Sequence, residues 1–129
     1  MNQEELNAGL APTPGYRYAD RHGDQLFVAG QVPLDGDGSL VGAADPATQA
    51  TTCLENLRIL LNVNGFSPTD IRQLTVYVVG QHENLTTAWA AVREWFDGDV
   101  PPATLLGVNL LGYPDQLVEI DAVVIGRES

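Results

Sequence analysis

Glu119 and Asp121 are the residues whose types and spacing stand out chemically in this chain. They lie two apart in the run LVEIDAVVI, residues 117–125, whose β-branched content predicts a strand. Strand side chains point alternately to opposite faces, so the two carboxylates share one face. The other face, Val118, Ile120, Ala122 and Val124, is wholly apolar and must be covered. Two carboxylates in the middle of a strongly β-forming strand are a chemical oddity that needs a reason. The bland reason is a pairing partner at a subunit contact, and Asp121 is read that way. Upstream, residues 104–110 predict another strand, and Gly112-Tyr113-Pro114-Asp115 lies in the connection, so a hairpin is expected.

The elements that must position these groups follow in order. Residues 1–14 read as an irregular arm ending in Ala-Pro-Thr-Pro-Gly. Residues 16–19 read as a short strand, His22-Gly23-Asp24 as a turn and 25–30 as a compact apolar strand. Two Asp-Gly pairs, at 35–36 and 37–38, mark a hairpin or loop. Asp45 then caps a helix whose first position is Pro46, where the missing N–H costs nothing. Ala50, Cys53, Leu54, Leu57, Leu60 and Leu61 form one helical stripe, and Gly65 sits where a left-handed terminator belongs. Residues 71–80 form the clearest strand. Asn84 is the expected cap of a second helix, with Leu85, Ala88, Trp89, Val92, Trp95 and Phe96 on one face and Gly98 at its end. The tryptophans are read as core anchors, and Cys53 as a small buried hydrophobe.

About six strands and two helices predict a two-layer α+β sandwich, with both helices on one face of a mixed sheet. The Glu119 face is then left open while still carrying Leu117, Val123 and Ile125, which points to a subunit interface. All 129 residues fit one domain. Six arginines, no lysine and 17 acidic residues leave a net charge of −11, which disfavours nucleic acid as a partner. No apolar run is long enough for a membrane span, the N-terminus lacks a basic leader pattern, and a lone Cys53 suits a reducing, cytoplasmic setting. His22 and His82 lack metal-ligand spacing, so neither a metal nor a cofactor is expected.

The ordered set GYRYADRHGDQLFVAGQVPLDGDGSLVG, the Asp45-Pro46 helix, LTVYVVG, PPATLLGV and LVEIDAVVI resembles the Rid (YjgF-type, RidA-like) family of enamine/imine deaminases. The resemblance runs from about Gly15 to Ile125. It implies a chorismate-mutase-like fold and a homotrimer with small-molecule clefts between subunits. It also implies hydrolysis of reactive enamines or imines to 2-keto acids and ammonia. Glu119 matches the family's functional glutamate and Tyr16 its N-terminal tyrosine. The substrate-anchoring arginine is absent, because Pro-Ala-Arg is replaced by Pro102-Ala103-Thr104. The cysteine of some active members gives way to apolar residues around Leu105 and Leu106.

An uncharged Thr104 cannot clamp a carboxylate as a planar guanidinium does. Arg17, beside Tyr16, is a candidate replacement anchor; its alternative is a solvated strand-edge arginine. Two functions stay open. One is a deaminase with altered or reduced activity, its site comprising Glu119, Tyr16, Arg17, Thr104 and Leu106. The other is a trimer that binds a small metabolite in the same cleft without turning it over. Ribonuclease activity, attached to some relatives, is disfavoured by the charge.

Overall fold

The computed structural model describes residues 2–126. A short helix α1 (Gln3–Asn7) precedes strands β1 (Ala19–His22) and β2 (Gln25–Val28). Helix α2 (Pro46–Val63) leads through a 3-10 turn (Pro68–Asp70) into β3 (Ile71–Val79). Helix α3 (His82–Trp95), β4 (Ala103–Val108) and β5 (Val118–Ile125) complete the chain. Five strands form one mixed sheet in the order β1-β2-β5-β3-β4. Only β3 and β4 pair in parallel, with α3 as their crossover; the remaining pairs are antiparallel.

The α+β sandwich and its mixed sheet match expectation, with five strands among the described residues where about six were expected. The hairpin does not form. Strand β3 lies between β4 and β5, so the stretches either side of Gly112-Tyr113-Pro114-Asp115 never pair. The physical reason is burial: β3 presents Leu74, Val76 and Val78, all fully buried, and is more apolar on its core face than β4. The most apolar strands take the middle of the sheet, where both edges and the core face are covered.

The arm also departs from expectation, since residues 3–7 are helical. Asn2 occupies the cap position but makes no side-chain cap to α1. Its side chain is used elsewhere, accepting from the Tyr18 backbone N–H at 3.0 Å and donating to the Tyr16 carbonyl at 3.0 Å.

Helix α2 begins as expected. Asp45 accepts from the Thr48 N–H, and Pro46 sits in the first turn. Gly65 follows with φ +84°. Helix α3 starts earlier than expected. Gln81 takes the cap position, while Asn84 donates to the Val79 carbonyl and ties the helix to the end of β3. Gly80, at φ +118°, makes the sharp turn between them.

Leu54, Leu57 and Leu61 of α2, with Ala88 and Val92 of α3, cover the core face of β3 and β5. Each fully buried leucine contributes about 1.5–3 kcal/mol through removal of apolar surface from water. Trp89 and Trp95 are half-buried against this cluster, and Trp95 Nε1 donates to Glu55 Oε2 at 2.8 Å.

Cys53 is fully buried and its thiol donates to the Val118 carbonyl at 3.6 Å. Burial pushes its pKa well up, with nearby Glu119 adding to the effect. A thiol so placed is unreactive as a nucleophile. Disulfide reagents added to native protein at neutral pH should therefore leave Cys53 unmodified and should label it fully in denaturant. Rapid labelling of the native state would contradict this packing.

Candidate functional site

The open face of the sheet is built by the alternation that buries the other. On β5, Val118, Ile120 and Val124 are buried beneath the helices while Glu119, Asp121 and Val123 emerge opposite. In register across the sheet, Glu119 faces Tyr77 of β3, and Tyr77 faces Leu106 of β4. Phe27, beside Val123 on β2, is 53% exposed, so the face retains a large apolar component.

Pairing between β2 and β5 is irregular next to Glu119. Phe27 faces Val123, yet the next bridge joins Gln31 to Ile120, which puts four steps on one strand against three on the other. The extra residue is a bulge, a device that bends a strand and re-aims side chains. It places Ala29 and Gly30 beside the Glu119 carboxyl. A Cβ added to Gly30 would overlap Glu119 Oε2 and come within 3.1 Å of its Cδ, so the lack of a side chain there makes the room that the carboxyl occupies.

Around this point lies a cavity of about 470 Å³, lined by Glu119, Tyr16, Tyr113, Ala29, Gly30 and Val32 among others. The N-terminal arm delivers Tyr16. Asn2 holds the Tyr16 carbonyl and the Tyr18 amide, and Thr13 Oγ1 also bonds the Tyr16 carbonyl. The Tyr18 hydroxyl, buried, donates to the Ala11 carbonyl at 2.6 Å. Burial, followed by the neighbouring phenol of Tyr113, pushes the Tyr16 hydroxyl up to about 12. It therefore stays a neutral phenol at every physiological pH.

The segment before β5 delivers Tyr113. Buried Gln116 accepts from the Tyr113 N–H at 3.1 Å, and its amide donates to the Val118 carbonyl and to Glu119 Oε1 at 3.0 and 3.3 Å. One glutamine thus fixes both the tyrosine and the carboxylate. From beneath, Gln49 of α2 accepts from the Leu117 and Val118 N–H groups and donates to the Asp115 carbonyl. Desolvation raises the Glu119 pKa above the ordinary carboxylate value. The Gln116 hydrogen bond opposes that rise, and the Asp121 charge reinforces it.

The structure brings Tyr16 and Glu119 into one cavity. Arg17 does not join them: its guanidinium lies 3.6 Å from Asp20, exposed, and outside the cavity lining. Thr104 is exposed and Leu106 half-exposed on β4; they share the open face with Glu119 but lie two strands away and also outside the lining. Gly30, Tyr113, Gln116 and Gln49 went unread in the sequence. Glycine after an apolar strand and Tyr-Pro-Asp-Gln before the carboxylate strand were the available signals, and both read locally as turn chemistry. No cluster of three or more His, Cys, Asp or Glu side chains converges among the described residues.

A mixed five-stranded sheet covered by helices on one face, with a carboxylate cleft on the other, places the chain among small α+β proteins of one architecture. The chain belongs to the Rid/YjgF family: the model of that family, described as endoribonuclease L-PSP, matches residues 7–126. It is 31% identical to a RutC family protein of Pyrococcus horikoshii over 117 residues, which are 88% of this chain and 90% of that one. The YjgF gene product of Escherichia coli superposes with a TM-score of 0.79 at 26% identity, over 91% of this chain and 92% of that one. Escherichia coli TdcF with bound serine superposes at 0.80 with 25% identity, covering 91% and 92%. No helix among the described residues is long and apolar enough to cross a membrane.

Proposed function

We propose that this chain is an enamine/imine deaminase of the Rid type, working as a homotrimer whose open sheet faces meet around the Glu119 cleft. The observation that carries this reading is the convergence of Tyr16 and Glu119 with the Gly30 bulge in one cavity. A half-buried carboxylate with a raised pKa can accept a proton from water attacking a C=N carbon and return it to the departing nitrogen. The net reaction adds water across the C=N bond and releases a carbonyl compound and ammonia. Tyr16, held neutral, donates a hydrogen bond to the developing oxygen or nitrogen. Gln116 fixes the carboxylate, and Ala29 and Val32 supply apolar walls.

The family description names an endoribonuclease. A net charge of −11 and a cleft lined by a carboxylate and phenols favour a small molecule over RNA for this chain. A TdcF neighbour holding serine fits a ligand of that size. The second reading, binding without turnover, is favoured by one observation: Thr104 stands where the resemblance calls for a carboxylate-clamping arginine.

Following pyruvate from 2-aminoacrylate generated in situ with a dehydratase, beside the hydrolysis of 1-pyrroline, separates the two readings. As a general base Glu119 must be ionised, so the rate should rise with pH on an acid limb centred above the usual carboxylate range. Glu119→Gln should abolish that limb and lower the rate by about 10²–10⁴-fold. The variant should not be destabilised at neutral pH. Because the folded-state pKa of Glu119 is raised, protonation favours the fold; that contribution is complete below the ordinary carboxylate value and lost as pH climbs through the folded one. Gln116 can still bond an amide oxygen at position 119. An unchanged rate in Glu119→Gln would remove Glu119 as the base, and no acceleration by the native protein would remove the enzyme reading.

A further inference from the structure

The cleft is lined by a carboxylate and two phenols and, among the described residues, by no cationic side chain. Among the described residues every arginine is placed elsewhere. Arg17 meets Asp20 and Arg58 meets Glu55. Arg21 lies over the Phe66 ring, Arg72 donates to the Ile125 carbonyl, and Arg93 is exposed in the last turn of α3. None lines the cavity. The open face of a second copy carries Thr75, Tyr77, Thr104, Leu106 and Asp121 on β3, β4 and β5, none of them cationic. A ligand carboxylate in this cleft would lie beside Glu119 with no cationic side chain among the described residues to neutralise it, and like charges close together in a partly desolvated site repel.

The complementary ligand has the opposite sign. A protonated nitrogen can donate a charge-assisted hydrogen bond to a Glu119 oxygen, and its charge is attracted by the π systems of Tyr16 and Tyr113. Tyr16 remains a neutral phenol, so its ring keeps that character. The acidic surface of the whole chain also draws small cations and repels anions.

We propose that the Glu119 cleft selects small organic cations, protonated amines and iminium ions that carry no carboxylate, with Glu119 as counter-ion and the rings of Tyr16 and Tyr113 as walls. This rests on the reading of that cleft as the ligand site and narrows its substrate class. Hydrolysis of such an iminium ion consumes one water and yields a ketone or aldehyde and an ammonium ion, so no further reactant is needed. The reaction that supplies it must be an amine oxidation or a decarboxylation that leaves a C=N bond without an acid group.

The test is a matched pair of ligands titrated into the intact protein by calorimetry. Pyrrolidine, a protonated ring, and proline, the same ring with a carboxylate, differ only in the disputed group. Pyrrolidine should bind about tenfold or more tightly than proline. Its affinity should rise as pH rises through the Glu119 titration, and Glu119→Gln should erase the preference while leaving the melting temperature in place. Equal or tighter binding of proline, or binding of neither, overturns the proposal. Turnover is scored separately with 1-pyrroline and with 2-aminoacrylate. A protein that selects pyrrolidine yet hydrolyses neither substrate refutes the deaminase reading alone. One that binds proline more tightly and hydrolyses 2-aminoacrylate refutes the cation selectivity alone.

Discussion

Gly30→Ala should empty the cleft of function while leaving the fold standing. The added Cβ would overlap Glu119 Oε2 and press on its Cδ and Cγ at 3.1 and 3.3 Å. Something must move, and the cheapest movement is the Glu119 side chain, because the overlapping atom is the far end of a flexible chain. Gly30 does not have a positive φ, so alanine fits the backbone there. The carboxylate is then displaced by an ångström or more from Gln116 and from the cavity. Misplacements of that size cost about 10²-fold in rate or affinity, whereas stability should change by less than about 1 kcal/mol. Thermal melting paired with ligand titration and the pyruvate assay checks both halves. If rate and affinity survive, the position of the carboxylate does not matter and the site lies elsewhere.

That prediction depends on a feature no local pattern in the chain contains. The period-two alternation of β5 correctly separated the buried Val118, Ile120 and Val124 from the emergent Glu119 and Asp121, because both readings rest on the same strand geometry. Asp45, Pro46 and Gly65 were legible for a similar reason: cap chemistry acts over four residues. Strand order was not. Residues on either side of Gly112-Tyr113-Pro114-Asp115 look like a hairpin until β3 is known to lie between them, and register between distant strands is written in the packing of the whole core. The bulge at Ala29–Gly30 arises from a mismatch between β2 and β5, nearly a hundred residues apart, so neither strand shows it alone.

The site divides along the same line. Glu119 stood out from spacing and alternation, but Tyr16 was reached only through the family resemblance, since nothing in a Gly-Tyr-Arg-Tyr segment points to a cleft formed with β5. Their partners were hidden because glutamine and asparagine have no periodic signature. Asn2 in particular lies in an arm that prolines make look irregular, yet its side chain bonds the two backbone groups that carry Tyr16 into place. Where a polar side chain serves the backbone of a distant segment, composition records the residue and only the fold records the role.

Gln49 is the extreme case, and replacing it with leucine should have the largest effect on stability of any single polar substitution in the chain. It is fully buried in α2. Its oxygen accepts from the N–H groups of Leu117 at 2.7 Å and Val118 at 3.2 Å. Its amide donates to the carbonyls of Gly42 at 3.1 Å and Asp115 at 3.3 Å. Leucine of similar volume would take the partner from the Leu117 and Val118 N–H groups and from the Asp115 carbonyl, while the Gly42 carbonyl keeps the Asp45 N–H at 2.9 Å. Each unsatisfied buried group costs about 1–3 kcal/mol, and water can recover some of them at the edge of the loop. A net loss of about 3–5 kcal/mol is expected, a large share of the ~5–15 kcal/mol that holds a domain of this size. Chemical denaturation with an unchanged m-value measures it, and amide exchange at Leu117 and Val118 should accelerate in step. Because Tyr113 and Gln116 belong to the released segment, ligand affinity should fall as well. Gln49→Leu therefore couples stability to function, where Gly30→Ala separates them. A loss below about 1 kcal/mol would mean that the segment before β5 is held by its own turn and not by the helix beneath it.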